Sequence, residues 1–378
     1  MLLKQLLKDD LIKYTDTVFK FNELFNTANG FYIRGDCKDT KTDPFMRSFP
    51  SLLDIGIMSG CKSCRLCNVD CYQGGKDYNP LNDMTFENYK KIIDEGCKKG
   101  LQQVALGGAG NPNDHQYFKE ILEYTRSKNV VPNYTTSGVG LTDEMAEVTK
   151  TYCGAVAVSW YYQQFTVDAI KKFLKYNMKT SIHFVLSKRS ICDAINLLKT
   201  NKLIYNNYEE FDLTEHGINA VIFLLYKPVG LGKRENILTL KEQPLIEEFF
   251  KLFDDTRSYK VGFDSCSVPA ILNYAKNISK ASIDTCEGGR FSAYINSQMV
   301  MTPCSFDQHL LYGVQLNDSV SIEDAWNSDK FSRFRQLLQL SCTGCSDQHN
   351  CYGGCPLVKS VVLCNRQEQH FFDVLKDY

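Results

Sequence analysis

From about residue 51 onward, short apolar runs alternate with segments whose apolar residues recur every three or four positions. A short apolar run bounded by Gly, Pro or polar residues is typical of a buried strand, whereas a longer periodic segment is typical of a helix with one apolar face. Six strands are predicted in this way, at residues 52–58, 103–106, 131–135, 155–159, 180–186 and 219–225.

Helices are predicted between these strands. Thr85 and Thr142 each precede a periodic segment, and a threonine there can accept a hydrogen bond from the first helical turn. Further helices are predicted at residues 118–124, 166–174 and 191–198. Six strand–helix units in succession predict an α/β fold with parallel strands and right-handed crossovers. In such folds the functional residues follow the carboxyl ends of the strands.

The residues that follow the predicted strands are polar or rich in glycine. Four cysteines between Cys61 and Cys71 follow the first strand, and a glycine-rich turn follows the second. Glycines there let the backbone approach a ligand closely. Each feature alone is weak evidence, but together they predict a polar mouth above the cysteine loop. This mouth contains Gly107, Gly108, Ala109, Gly110, Asn111, Ser137, Ser159, His183 and residues 226–230.

Residues 1–50 form a separate N-terminal segment whose role the sequence leaves open. The spacing of its first leucines predicts a helix over residues 2–14. Residues 17–34 alternate around Asn29 and Gly30, which predicts a hairpin turn. Cys37 is isolated, and the favoured interpretation is a structural residue.

Composition excludes several classes of function. The chain has 378 residues, with 43 basic and 44 acidic side chains and 16 cysteines. Long basic runs are absent, so we expect no nucleic-acid partner. No apolar stretch approaches the length of a membrane span, so we expect a soluble cytoplasmic protein with no membrane partner. Many cysteines in that compartment favour metal or redox chemistry over disulfides.

The cysteine loop favours an iron–sulfur cluster. Its sequence is Cys61-Lys-Ser-Cys64-Arg-Leu-Cys67-Asn-Val-Asp-Cys71, followed by Tyr72. Thiolates bind zinc or iron–sulfur clusters, but a zinc site needs two separated pairs and no histidine is near. A cluster held by three cysteines, with one open iron, fits this loop better.

A strand that ends in such a loop, followed by a Gly-Gly turn after the second strand, resembles the radical S-adenosylmethionine enzymes. The resemblance implies a partial (β/α)6 barrel and a [4Fe–4S] cluster whose open iron chelates S-adenosylmethionine. Its reductive cleavage yields a 5′-deoxyadenosyl radical that abstracts hydrogen from the substrate. The resemblance implies that residues 107–111 hold the methionine amino group and that Ser159 contacts the ribose.

Two features depart from the family pattern. The loop carries three extra residues, so its ligands are Cys61, Cys71 and either Cys64 or Cys67, of which we favour Cys67. The Gly-Gly turn also continues with Ala109 and Gly110, where the family usually has an acidic residue.

The C-terminal third resembles the SPASM domain of peptide- and protein-modifying radical enzymes, which binds two auxiliary [4Fe–4S] clusters. Its cysteines are spaced x2, x5 and x3 from Cys342 to Cys355, and Met299 stands where the domain usually has glycine. The resemblance implies three clusters in all. Auxiliary cluster I would use Cys286, Cys304 and Cys355, with Cys266 as the candidate fourth ligand, and auxiliary cluster II would use Cys342, Cys345, Cys351 and Cys364.

The expected domains are a radical S-adenosylmethionine barrel at 51–260 and a SPASM domain at 261–378. The alternative for the latter is a zinc ribbon, although the number of thiols exceeds one zinc site. Asp264 and Asp307 are candidate catalytic bases, with solvated or capping carboxylates as the alternative. Residues 160–162 either line the mouth or pack at the barrel rim. Cys97, Cys153 and Cys192 are expected to be core residues.

The sequence thus predicts an oxidoreductase that modifies a precursor peptide through a thioether, a carbon–carbon cross-link or epimerisation. The expected partners are that peptide and a flavodoxin- or ferredoxin-like electron donor. One alternative is a radical dehydrogenase or maturase acting on a protein or small metabolite. The alternative of another class is a multi-cluster electron-transfer protein, but such a carrier needs no glycine-lined pocket beside an open iron. No winged-helix segment for leader binding is evident at the N-terminus.

Overall fold

A computed structural model describes residues 2–36, 45–63, 66–67, 70–74, 78–254, 256–275, 278–279, 283–340, 342 and 344–364. The strands are β1 (Leu2–Lys8), β2 (Leu11–Asp16), β3 (Phe21–Asn26), β4 (Tyr32–Asp36), β5 (Leu52–Ile55), β6 (Gln103–Leu106), β7 (Val131–Thr136), β8 (Val156–Ser159), β9 (Thr180–Leu186), β10 (Lys202–Tyr205), β11 (Glu209–Asp212), β12 (Ala220–Leu225), β13 (Lys260–Phe263), β14 (Ser292–Ile295), β15 (Val300–Thr302) and β16 (Val314–Gln315). The helices are α1 (Phe86–Lys99), α2 (Phe118–Ser127), α3 (Asp143–Tyr152), α4 (Gln164–Lys175), α5 (Ile191–Thr200), α6 (Gln243–Lys251), α7 (Val268–Tyr274), α8 (Ile322–Trp326), α9 (Asp329–Leu340) and α10 (Gln348–Cys351).

One ten-stranded sheet, in the order β13-β12-β9-β8-β7-β6-β5-β14-β15-β16, forms the framework. Its strands from β13 to β14 are parallel. All six predicted strands are confirmed. The first is shorter than predicted and ends at Ile55, because the Ile57 carbonyl already accepts from Met84 N. Strand β14 joins the parallel sheet beside β5, so the cysteine-rich C-terminal region is part of the same sheet.

The predicted helix starts are confirmed where a side chain caps the first turn. Thr85 Oγ1 accepts from Asn88 N, and Thr142 Oγ1 accepts from Met145 N. Each helix then buries one apolar face, as α1 does with Tyr89, Ile92 and Ile93. The described part of the chain contains no helix that is both long and apolar enough to cross a membrane.

The predicted helix over residues 2–14 is wrong. Residues 2–16 form the antiparallel strands β1 and β2 of a four-stranded sheet. The leucines that suggested a helical face are exposed in β1, whereas the buried residues of β2 alternate, with Ile12 and Tyr14 inward. Pairing with β3 therefore overrides the local spacing. The hairpin at Asn29 and Gly30 is confirmed between β3 and β4.

The N-terminal sheet packs against the amino ends of the barrel strands. Ile12, Tyr14 and Phe25 share one core cluster with Val131, the first residue of β7. Arg47 connects the two parts, because its Nε lies 3.4 Å from Glu23 Oε2 and its Nη1 donates to Gly100 O at 2.9 Å. Both side chains are almost wholly buried. The sheet therefore closes the end of the barrel opposite to the cysteine loop.

We expect Arg47→Met to lower the free energy of unfolding by about 3–5 kcal/mol, because it leaves the Glu23 carboxylate buried without its cation. The double variant Glu23→Gln/Arg47→Met should recover part of that loss. The control is Arg189→Met, which breaks an exposed pair with Glu235 and should cost under about 1 kcal/mol. Urea unfolding followed by circular dichroism measures all three, and equal midpoints for Arg47→Met and wild type would contradict this account.

Candidate active site

The cysteine loop follows β5 and lies near Tyr161, the second residue after β8. Among its described cysteines Cys67 is buried, and Cys61 and Cys71 are partly buried. Burial raises the pKa of Tyr161, and its electrostatic interaction with Cys67 and Cys71 raises it further. Cys37 and Cys64 lie outside the described residues. Cys67 as second ligand therefore stays a prediction.

The glycine-rich turn packs on the chain that enters this loop. Ser59 forms a bridge with Ala109, and Gly110 has φ +86°. A Cβ on Gly110 would overlap the Gly60 carbonyl and come within 3.2 Å of Cys61 Cα, so only glycine fits there. The turn thus lies directly beside the first cysteine of the loop.

Asn111 connects the glycine-rich turn to the end of β7. Its Oδ1 accepts from Ser137 N at 2.8 Å, and its side chain is 4% exposed. Its side chain also hydrogen-bonds with the Asp114 carboxylate, which opposes the rise in the pKa of Asp114 that burial causes. Ser137 Oγ itself accepts from Val139 N, so this serine shapes the turn. Asn111 and Asp114 thus place an amide and a carboxylate beside the cysteine loop, where Lys62 Nζ donates to Asp114 O at 2.7 Å.

Ser159 and His183 are directly paired across β8 and β9 and so share one face of the sheet. Burial lowers the pKa of His183 to about 4, so the imidazole is neutral at neutral pH. Ser159 also interacts with the hydroxyl of Tyr161. Trp160 is buried in the core instead, so of the aromatic residues 160–162 it is Tyr161 that faces the cysteine loop.

Asp54 and Tyr294 also belong to the mouth, although the sequence analysis did not single them out. They are paired across β5 and β14. A Cβ on Gly108 would come within 2.8 Å of Tyr294 Oη, so this phenol reaches the glycine-rich turn. Burial, with the charge of Glu287, raises the pKa of Asp54 to about 7. The sequence feature that could have identified Asp54 is a carboxylate in the middle of an apolar strand.

Four thiols from distant parts of the chain form the first auxiliary group: Cys266, Cys286, Cys304 and Cys355. Cys266 hydrogen-bonds with Cys355, and Cys286 and Cys304 interact electrostatically with Cys266. A Cβ on Gly288 would lie 3.6 Å from both Cys286 Sγ and Cys304 Cβ. Burial raises the pKa of Cys286 to about 12. Cys266 thus lies with the three cysteines to which the resemblance assigned it.

A second group contains Cys342, Cys345, Cys351 and Cys364. Cys342 interacts with Cys345 and Cys364, and Cys351 interacts with Cys342 and Cys364. Cys345 N also donates to Cys342 O at 3.0 Å. Burial raises the pKa of Cys351 to about 12. Cys355 is only four residues beyond Cys351, yet it belongs to the first group.

Each group supplies four thiols, which is the ligand number of a [4Fe–4S] cluster and of a structural zinc site alike. Within the described ranges, no three His, Cys, Asp or Glu side chains are placed to hold one ion. The two auxiliary clusters therefore stay a prediction.

The candidate bases Asp264 and Asp307 both make structural contacts. Asp264 accepts from Lys227 Nζ at 3.0 Å and from Ser267 Oγ at 2.8 Å. Asp307 is buried and accepts from the backbone nitrogens of Leu311 and Tyr312. Their catalytic roles therefore stay predictions, and the contacts agree with the alternative of capping carboxylates.

Cys153 is buried and Cys97 packs partly buried against the core, as predicted. The prediction for Cys192 is wrong, because this residue is exposed on α5. The buried face of α5 is formed by Ile191, Ala194 and Ile195 instead. A helical position next to a buried residue is not necessarily on the same face.

No protein-family model matches the chain. It is 22% identical over 317 residues to the tungsten-containing aldehyde ferredoxin oxidoreductase cofactor-modifying protein of Pyrococcus furiosus, covering 75% of this chain and 86% of the relative. It is 21% identical over 313 residues to mycofactocin maturase MftC of Mycobacterium tuberculosis, covering 79% of this chain and 76% of the relative.

Among solved structures, SuiB of Streptococcus suis bound to S-adenosylmethionine has the same fold. The TM-score is 0.69 at 15% identity, and the match covers 95% of this chain and 98% of SuiB. SuiB bound to its precursor peptide SuiA matches with a TM-score of 0.66 at 14% identity, covering 96% of this chain and 98% of that one. The resemblance to radical S-adenosylmethionine enzymes is confirmed.

The local backbone accounts for the departure at Met299, where the resemblance expects glycine. This residue closes the loop between β14 and β15 with φ +61°, in the left-handed region. Glycine adopts that conformation without strain, whereas another L-residue does so at a cost of roughly 1–2 kcal/mol. Met299 tolerates it while its side chain packs against the core and its carbonyl accepts from Leu316 N.

We expect Asp54→Asn to remove a pH dependence of stability. The pKa of Asp54 is raised to about 7 in the folded chain, whereas an unfolded aspartate has a pKa of about 3.9. The folded state therefore loses stability as pH rises from about 4 to about 7, by at most about 4 kcal/mol. The measurement is urea unfolding across this range.

The control for this prediction is Asp212→Asn, because Asp212 is only partly buried and its pKa is lowered by hydrogen bonds from Thr214. The free energy of unfolding of Asp212→Asn should still fall as pH rises through this range, as it does in the wild type, whereas that of Asp54→Asn should not. Parallel curves for Asp54→Asn and wild type would show that Asp54 ionises in the folded chain as readily as in water.

Proposed function

We propose that this chain is a radical S-adenosylmethionine enzyme that modifies a precursor peptide. One observation carries the proposal: a cysteine loop and a glycine-rich turn lie together after β5 and β6, and a separate group of four thiols lies close to Lys227, which follows β12. The relatives support the peptide as substrate, since one is a maturase and SuiB has been solved with a precursor peptide.

Cys61, Cys67 and Cys71 are the proposed ligands of the cluster at the mouth. When bound there, the cluster and S-adenosylmethionine supply one electron and a carbon-centred radical. Gly107 leaves the backbone open to the cofactor, because no described atom lies within 4 Å of the position that its Cβ would take, whereas Gly108 and Gly110 pack against Tyr294 and Gly60. The Asn111 amide and the Asp114 carboxylate, which hydrogen-bond with each other, are suited to the cofactor's carboxylate and ammonium groups respectively.

The substrate is proposed to enter over the face of the sheet that carries Ser159 and His183. The neutral His183 can donate or accept a hydrogen bond there. Asp54 and Tyr294 line the same mouth from β5 and β14. Such groups suit the amides of a peptide backbone better than an apolar metabolite.

The two auxiliary thiol groups support an oxidative modification, in which the substrate radical loses an electron. A thioether, a carbon–carbon cross-link or another oxidised product fits this role. The enzyme would need an external one-electron donor of the flavodoxin or ferredoxin type. A pure electron carrier would not require the glycine-rich turn beside the cysteine loop.

The proposal predicts that anaerobically reconstituted protein binds about twelve iron atoms, for three clusters. It should convert S-adenosylmethionine to 5′-deoxyadenosine when supplied with a strong reductant. It should also change the mass of a precursor peptide encoded beside its gene. Zinc in place of iron, or no 5′-deoxyadenosine, would refute the enzyme; cleavage without any peptide product would refute the substrate class.

Cys71→Ala should abolish 5′-deoxyadenosine formation while about eight iron atoms remain bound in the auxiliary clusters. Cys67→Ala should cause the same loss, because an open iron needs three fixed thiolates to position its ligand. Cys64→Ala is the matched control within the same loop and should be milder. A greater loss for Cys64→Ala than for Cys67→Ala would assign the second ligand to Cys64.

A further inference from the structure

A buried lysine lies between the mouth of the barrel and the first auxiliary thiol group. Lys227 follows β12 and is only 4% exposed. Its ammonium donates to Leu225 O at 3.1 Å and to Asp264 Oδ2 at 3.0 Å, and lies 4.2 Å from the centre of the Phe306 ring. A buried ammonium is costly unless it is paired, so these contacts hold the positive charge in one place.

The partners of Lys227 lie beside the auxiliary cysteines. Asp264 precedes Cys266 by two residues, and Phe306 follows Cys304 by two residues. Lys227 also interacts electrostatically with Cys266, Cys304 and Cys355. The positive charge of Lys227 therefore acts on three of the four thiols in this group.

Other charges face the same group of thiols. Arg290 donates through Nη1 to Cys286 O at 3.1 Å, and Glu287 follows Cys286 directly. Arg290 also donates to Thr285 and to Phe45 O, and Glu287 pairs with Arg34 at 3.2 Å. The Lys227–Asp264 pair thus acts on Cys266, whereas Arg290 and Glu287 act on Cys286.

We infer that Lys227 is a counter-charge that raises the reduction potential of auxiliary cluster I. This inference rests on the proposed function, in which Cys266, Cys286, Cys304 and Cys355 hold that cluster. A cluster bound by four thiolates is negative and gains one further negative charge on reduction. A nearby cation stabilises the reduced form more than the oxidised form, and burial strengthens the effect.

The higher potential would serve electron transfer from the substrate. In that step the substrate radical loses one electron and one proton, the cluster gains the electron, and water or a nearby carboxylate takes the proton. Lys227 follows β12 at the mouth and interacts with the thiol group. Its charge therefore lies on the side of the group that is nearer the substrate. Lys227 is therefore a positioning residue, since it acts through the cluster.

The test is a redox titration of reconstituted, full-length protein without peptide, followed by electron paramagnetic resonance. Lys227→Met should lower the potential of one auxiliary cluster and leave the other unchanged, because it also leaves the Asp264 carboxylate uncompensated. Lys227→Arg should restore most of the shift. Asp264→Asn should move the same cluster in the opposite direction.

Lys359→Met is the matched control, because Lys359 is an exposed lysine near Cys342 of the second group. It should leave the Lys227-sensitive potential unchanged. Should Lys227→Met fail to load its cluster, Lys227→Arg and Asp264→Asn decide the question. If Lys227→Met and Asp264→Asn have filled clusters and unchanged potentials, the role of Lys227 is refuted, whereas the ligand assignment is not. Wild-type protein without auxiliary clusters would overturn the ligand assignment on which it rests.

Discussion

The parallel pairing of β14 with β5 is the contact on which the site depends. It places Tyr294 beside Asp54 in register, and it fixes the chain before and after β14 relative to the start of the cysteine loop. Cys286 and Cys304 lie on either side of the hairpin formed by β14 and β15. The first auxiliary thiol group is therefore tied by backbone hydrogen bonds to the strand that leads to the radical cluster site.

Close approach of the backbone is the second constraint at the mouth. Gly56 and Gly108 leave space that the Tyr294 hydroxyl occupies, and Gly110 lies against the Gly60 carbonyl. Any side chain at these positions would separate β14 from the glycine-rich turn or the turn from the cysteine loop. The glycines thus serve packing as much as ligand binding, which the sequence pattern alone could not distinguish.

The charged groups near the mouth differ in how they are satisfied. Asp264 is compensated by Lys227, and Asp307 accepts from two backbone nitrogens. Burial, with the nearby charge of Glu287, raises the pKa of Asp54 to about 7, because desolvation favours the neutral carboxyl group. The site therefore contains two carboxylates that are held by hydrogen bonds and one, Asp54, that titrates close to neutral pH.

The sequence by itself determined the six parallel strands and the starts of α1 and α3. These features depend on local patterns, namely apolar runs and the threonines Thr85 and Thr142 that cap the first turns. The cysteines that the family resemblance grouped together also interact with one another, and their role as cluster ligands stays a prediction.

Tertiary structure decided the rest. The leucines of β1 are spaced as in a helix, yet β2 pairs with them as a strand, because the ladder with β3 continues across the sheet. The spacing of Cys351 and Cys355 does not reveal that they separate, but Tyr352, Gly353 and Gly354 all have positive φ and turn the chain between them. The sequence does not reveal that Asp54 faces the mouth, because this residue lies within an apolar strand. Only its pairing with Tyr294 shows its position.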